Sequence, residues 1–141
     1  MYNNILVPTD GSESAEAAFE HALSLAKATG ATLHILTVIQ TKAHYILTVG
    51  LGDEMEEYEE WAENLVKEYD AKAEGEGVGA RGVIRKGRVA EEIVDYAESN
   101  NIDNIVMGAE GRSAVDKYLV GSTAEKVVRT SRVPVTTVRR G

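Results

Sequence analysis

Short apolar runs alternate with longer stretches of helical periodicity along this chain. Asn4-Ile5-Leu6-Val7 is the first run, and its uninterrupted character predicts a buried strand. The turn and cap residues Pro8-Thr9-Asp10-Gly11-Ser12 close it. Ala15, Ala18, Phe19, Ala22, Leu23 and Ala26 then recur at three- and four-residue spacings, which predicts a helix to about Thr29, stopped by Gly30. Thr32 to Val38 is apolar on both parities apart from His34, as a central parallel strand is, and His34 reads as a packed, hydrogen-bonded residue. Residues 39–52 are read as a loop able to cover a site. From Asp53 to about Glu74 a helix carries Met55, Tyr58, Trp61, Ala62, Leu65 and Tyr69 on one face and a solvated acidic surface on the other. Val83-Ile84 anchor a third strand ended by Gly87. Glu91–Ser99 is a short helix, Ile102–Met107 a fourth strand and Thr123–Ser131 the last helix. Val133–Val138 is the fifth strand, with Pro134 at its start or on a sheet edge.

Five strands alternating with four helices predict one α/β domain over residues 1–141, doubly wound around a mostly parallel sheet. In such sheets ligands sit at the carboxyl ends of the strands, at the switch point. Composition narrows the chemistry. Cysteine is absent, which removes disulfides, thiolate metal sites and cysteine nucleophiles. The 15 Lys+Arg against 23 Asp+Glu give a net charge of −8, which argues against nucleic acid as a partner. No apolar run is long enough to span a membrane, and Met1 to Ser12 do not read as a secretory signal, so the expected location is cytoplasmic.

The stretch Gly108 to Ser122, GAEGRSAVDKYLVGS, is where the chemistry concentrates. It leaves an apolar strand and ends at a helix start, an order that suits a phosphate: glycines let the backbone approach, and the helix N-terminus offers unpaired N–H groups. Ser122 and Glu125 also match an S-x-x-E capping box, so the segment can be read as turn and cap chemistry alone. Asp10, at the end of the first strand, suits a ribose or a metal, or caps the next helix in competition with Ser12. Gly77 to Gly82 spells GxGxxG, but a helix precedes it and a strand follows, so it reads as a connection and not as a dinucleotide fingerprint. No P-loop motif occurs. His21, His34 and His44 are scattered without ligand spacing. No G-x-S-x-G surrounds Ser12 or Ser14, and no residue stands out as a general base.

The spacing Gly108-x2-Gly111-x9-Gly121-Ser122, with Ile5 to Ser12 at the start and Pro134-Val135 at the end, resembles the ATP-binding branch of the universal stress protein family. The resemblance covers nearly the whole chain, with little support from Ile39 to Arg81. It implies a Rossmann-like or flavodoxin-like domain with strand order 3-2-1-4-5, binding ATP with Mg²⁺ and acting in stress responses as a homodimer. Pro8, Thr9 and Asp10 would line the nucleoside side, and Val38 would offer its backbone to the adenine. Met107 and Gly108 would flank ribose and phosphates; Gly111, Gly121, Ser122 and Thr123 would hold the phosphates. Glu110 departs from the pattern, because a carboxylate beside a triphosphate opposes binding unless it points away or holds the metal, and Arg112 is the residue expected to offset it. A nucleotide-independent assembly module and a slow ATP hydrolase are the alternative functions.

Overall fold

A computed structural model describes residues 2–40, 53–110 and 121–141. Its elements run β1 (Asn4–Pro8), α1 (Glu13–Thr29), β2 (Thr32–Ile39), α2 (Asp53–Gly75), β3 (Ala80–Lys86), α3 (Val89–Ser99), β4 (Asn104–Gly108), α4 (Ser122–Thr130) and β5 (Val135–Val138). The five strands form one sheet in the order β3-β2-β1-β4-β5, and each neighbouring pair is parallel. The loop expected over residues 39–52 lies outside the described residues except at its start, where Ile39 closes β2.

The three central strands are buried on both faces, which explains the unbroken apolar runs of β1, β2 and β4. Ile5, Val7, Leu33 and Ile35 face α1 and α2, where Phe19, Ala22, Val66, Tyr69 and Ala73 complete one core. The Phe19 and Tyr69 rings lie 4.6 Å apart there. Leu6, Leu36, Ile105 and Met107 face α3 and α4 and pack with Ile93, Tyr96, Ala124 and Val127. His34 sits inside this second layer. Its Nε2 donates to Asn4 Oδ1 at 3.0 Å and its Nδ1 accepts from the Tyr96 hydroxyl at 2.6 Å, a tautomer set by the Asn4 amide, whose Nδ2 donates to the Asn101 carbonyl. Burial holds the His34 imidazole below its ordinary pKa, with the Arg81 charge acting in the same direction.

α1 starts and stops where its end residues dictate. Ser12 accepts from Ala15 N at 3.1 Å, and Gly30 takes a left-handed conformation as the helix closes. α2 ends in a Schellman turn: Val78 N bonds the Ala73 carbonyl, Gly77 N bonds the Glu74 carbonyl, and Gly77 has φ +77. Gly77 is the first glycine of the GxGxxG sequence, so this one is a helix terminator. Residues 80–82 of that sequence are not a connection, because β3 begins at Ala80 and pairs with β2 from Leu33↔Ala80 to Ile39↔Lys86. Gly82 lies within the strand because Val66 of α2 occupies the space a β-carbon would need.

Candidate functional site

The strand ends open a crevice by their hydrogen-bond parity. Thr9 N bonds the Leu36 carbonyl at 2.8 Å, so Thr9 turns its backbone toward β2. Pro8, one residue earlier, turns toward β4, where it has no N–H to give. The β1–β4 ladder accordingly spans Ile5↔Asn104 and Leu6↔Ile105, while both strands run on, to Pro8 and Gly108. Leu36 faces β1 and Ile39 faces β3, where its carbonyl accepts from Gly87 N. Val38 therefore directs its N–H and C=O toward the β1 side, past the last β1 partner at Pro8↔Leu36. Ala109 N bonds the Val138 carbonyl of β5, so Gly108 directs its backbone back toward β1. Backbone groups of Val38, Pro8 and Gly108 thus converge on one gap.

The β1–α1 loop forms one wall. The Thr9 hydroxyl donates to the Tyr69 hydroxyl at 3.1 Å and accepts from Gly11 N at 3.2 Å, while the Thr9 carbonyl accepts from the Thr37 hydroxyl. Thr9 is buried, and these bonds make it a brace for the loop. Burial raises the Tyr69 pKa, which keeps its hydroxyl neutral beneath the loop. Asp10 is half-buried at the crevice, and its Oδ1 accepts from Ser12 N at 3.0 Å. Ser12, not Asp10, caps α1, so the Asp10 carboxylate is left as the acidic group at the crevice. Gly11 has φ +80, and the Trp61 ring edge stands 3.5 Å from where a β-carbon would be.

The end of β4 and the start of α4 form the other wall. Met107 is buried in the α3–α4 layer, so only its backbone reaches the crevice. A β-carbon on Gly108 would collide with Ser14 Oγ and lie 2.7 Å from Ser14 C and 2.8 Å from Ala15 N. Gly108 is glycine because the first turn of α1 rests directly on it. Buried Ser14 ties this corner: its hydroxyl accepts from Glu110 N at 3.2 Å and donates to the Val138 carbonyl at 3.4 Å. Gly121 N returns to the Ala109 carbonyl at 2.6 Å, closing the base of the loop.

The capping box expected of Ser122 and Glu125 does not form. Gly121 is the N-cap, with φ −67 and ψ 158, and its carbonyl accepts from Glu125 N at 3.0 Å. The bond from Gly121 N to Ala109 holds Gly121 in the cap conformation and moves Ser122 to the first helical position, where it is exposed. Gly121 has no side chain to cap with, so the first amides of α4, at Ser122 and Thr123, are suited to an external anion. Pro8, Thr9, Asp10, Val38, Met107, Gly108, Gly121, Ser122 and Thr123 all stand at this end of the sheet. Gly111 and Arg112 lie outside the described residues. The partner found for Glu110 is Arg140, whose Nε is 3.3 Å from Oε1. Ser14, Tyr69, Trp61 and Arg140 are the residues around the site that sequence reasoning missed, since each acts through a partner at least 30 positions away or through packing.

The model of the Universal stress protein family matches residues 1–139. The chain belongs to the universal stress protein family. Universal stress protein MJ0531 of Methanocaldococcus jannaschii is 32% identical over 142 residues, covering 99% of this chain and 84% of its own length. Among solved structures, MJ0577 superposes with a TM-score of 0.86 at 32% identity, over 100% of this chain and 98% of that one. MJ0577 is itself named a universal stress protein of the same archaeon. More distant members share the fold and carry ligands. One was solved in complex with cAMP, with a TM-score of 0.77 at 24% identity over 99% of each chain. Another, from Archaeoglobus fulgidus, was solved with dAMP, with a TM-score of 0.70 at 20% identity over 97% of this chain and 98% of that one. The five-stranded parallel sheet of this universal stress protein, in the order 3-2-1-4-5, is the family's fold.

Proposed function

We propose that this universal stress protein binds an adenine nucleotide, with ATP as its ligand, and acts in stress response as a nucleotide-dependent regulator with little hydrolysis. The observation that carries the reading is the start of α4, where a glycine cap leaves amides for an anion beside the Pro8–Gly108 gap. The adenine takes the backbone of Val38, the ribose takes Asp10 and Gly108, and the phosphates take Gly121, Ser122 and Thr123; Gly111 and Arg112 are assigned to the phosphates by the family motif alone. Among the described residues no group of three or more His, Asp or Glu is placed to hold a metal ion. A Mg²⁺ ion would accompany the nucleotide phosphates, a role that asks for only one or two protein carboxylates.

The test is direct. ATP with Mg²⁺ should raise the melting temperature, since a native-state ligand at about 100 times its Kd contributes about 2.7 kcal/mol. Calorimetry without heat and a melting curve unmoved by millimolar ATP, ADP or AMP would reject the reading. Mass spectrometry of ligand released from the purified protein identifies what is carried. The same proposal includes a homodimer through β5, which lies at the sheet edge with Val133, Val135 and Val138 half-buried. Sedimentation as a monomer at high concentration contradicts that part alone.

A further inference from the structure

Glu110 is the anomaly of the site. It follows Ala109, whose carbonyl receives the amide of the α4 cap, so it is next in sequence to the residue that anchors the proposed phosphate cradle. Its side chain is 1% exposed, and neither carboxylate oxygen has a hydrogen-bond partner among the described residues. Arg140 approaches Oε1 within ion-pair range but without hydrogen-bond alignment, and its own side chain is 33% exposed. Arg140 is held in place by its neighbours in sequence, because Val138 is fixed through its carbonyl to both Ala109 N and the Ser14 hydroxyl. A buried carboxylate is tolerated when a cation neutralises it and is costly when it stands alone.

We propose that Arg140 is a specificity-determining residue of the nucleotide site: it cancels the Glu110 charge so that the start of α4 accepts a polyphosphate. The inference rests on the nucleotide reading above. Arg140 acts through Glu110 and sets how strongly the site discriminates by phosphate count. Without it, the carboxylate repels each added phosphate charge across a poorly screened interior. Without Glu110, the guanidinium is freed and favours the more highly charged nucleotide.

The experiment is calorimetric titration of ATP, ADP and AMP, each with Mg²⁺, against the parent, Arg140→Gln, Glu110→Gln and the double variant, with melting curves in parallel. The quantity read is the ratio of AMP to ATP dissociation constants. Arg140→Gln should lower that ratio about tenfold, with ADP intermediate, because repulsion scales with ligand charge. Glu110→Gln should raise it by about threefold, and the double variant should return within about twofold of the parent. A purely structural ion pair weakens all three nucleotides alike and leaves the ratio unmoved, which would overturn the proposal. If Arg140→Gln fails to fold, Glu110→Gln and the double variant, which bury no charge, still decide it. An unchanged ratio in Glu110→Gln overturns it. A parent that binds none of the three nucleotides overturns the nucleotide reading first and this inference with it.

Discussion

Gly108→Ala is expected to destabilise the fold by about 3 kcal/mol, because the contact it violates is with backbone. The added β-carbon stands 2.7 Å from Ser14 C and 2.8 Å from Ala15 N, and ordinary contact begins near 3.4 Å. The first turn of α1 must therefore retreat by roughly 0.6–0.7 Å, the difference between those distances. Overpacking of this kind costs about 1–3 kcal/mol. The retreat also stretches the two bonds of Ser14, to Glu110 N and to Val138 O, each worth about 1 kcal/mol. Reduced freedom of the unfolded chain returns about 0.5–1 kcal/mol. For a chain of this length the sum is a fall of about 10 °C in Tm. Urea and thermal unfolding measure it. Removing the hydroxyl by Ser14→Ala should not restore stability, since the backbone contacts remain. By contrast, Gly82→Ala meets chiefly Val66 Cγ1, with Val66 Cβ at 3.6 Å, so Val66→Ala should recover most of that loss. Gly79→Ala meets only Thr32 Oγ1 at 3.7 Å and serves as the neutral control. A Gly108→Ala variant within about 1 kcal/mol of the parent, or one rescued by Ser14→Ala, refutes the reasoning.

Two further expectations follow from the same geometry. Because Gly121 and not Ser122 is the cap, Ser122→Ala should cost less than about 0.5 kcal/mol, and Ser122→Asp should gain about 0.3–1 kcal/mol from the α4 dipole. The aspartate should nevertheless weaken ATP tenfold or more by repelling phosphate, and equal ATP affinity in Ser122→Asp and the parent would move the phosphate site elsewhere. The depressed pKa of buried His34 means that the fold favours the neutral ring, so its contribution is complete above the unfolded value of about 6.5 and is lost as pH falls below it toward the folded value. Urea unfolding of the parent should weaken between pH 7.5 and about pH 5 more steeply than that of His34→Gln, and parallel slopes would dismiss the effect.

The sequence reading recovered what burial writes into a local pattern. β1, β2 and β4 are covered on both faces and read as apolar runs. The Ser12 cap and the Gly30 stop act within a few residues of themselves. β3 was legible only at Val83-Ile84, because Arg81 and Gly82 are exposed on an edge strand that exists through its pairing with β2. The pattern alone places the start of α4 one residue late, because serine and glycine both serve as caps and a tertiary bond to Ala109 settles which one does. Ser14 carried no local signal, since its partners lie 96 and 124 positions away. Glu110 pairs with Arg140, which β5 brings back from 30 positions away and which no local spacing points to, while Arg112 lies outside the described residues.

Trp61 is the only tryptophan in the chain, and its ring edge faces Gly11 while Tyr58 stands edge-on 5.4 Å away. The indole therefore reports optically on the loop that carries Asp10. Its emission wavelength and quenching respond to the polarity and hydration of that wall, with no label attached and no competing indole elsewhere. A titration followed at red-edge excitation reads events at the crevice, whereas a global probe such as circular dichroism averages over every helix.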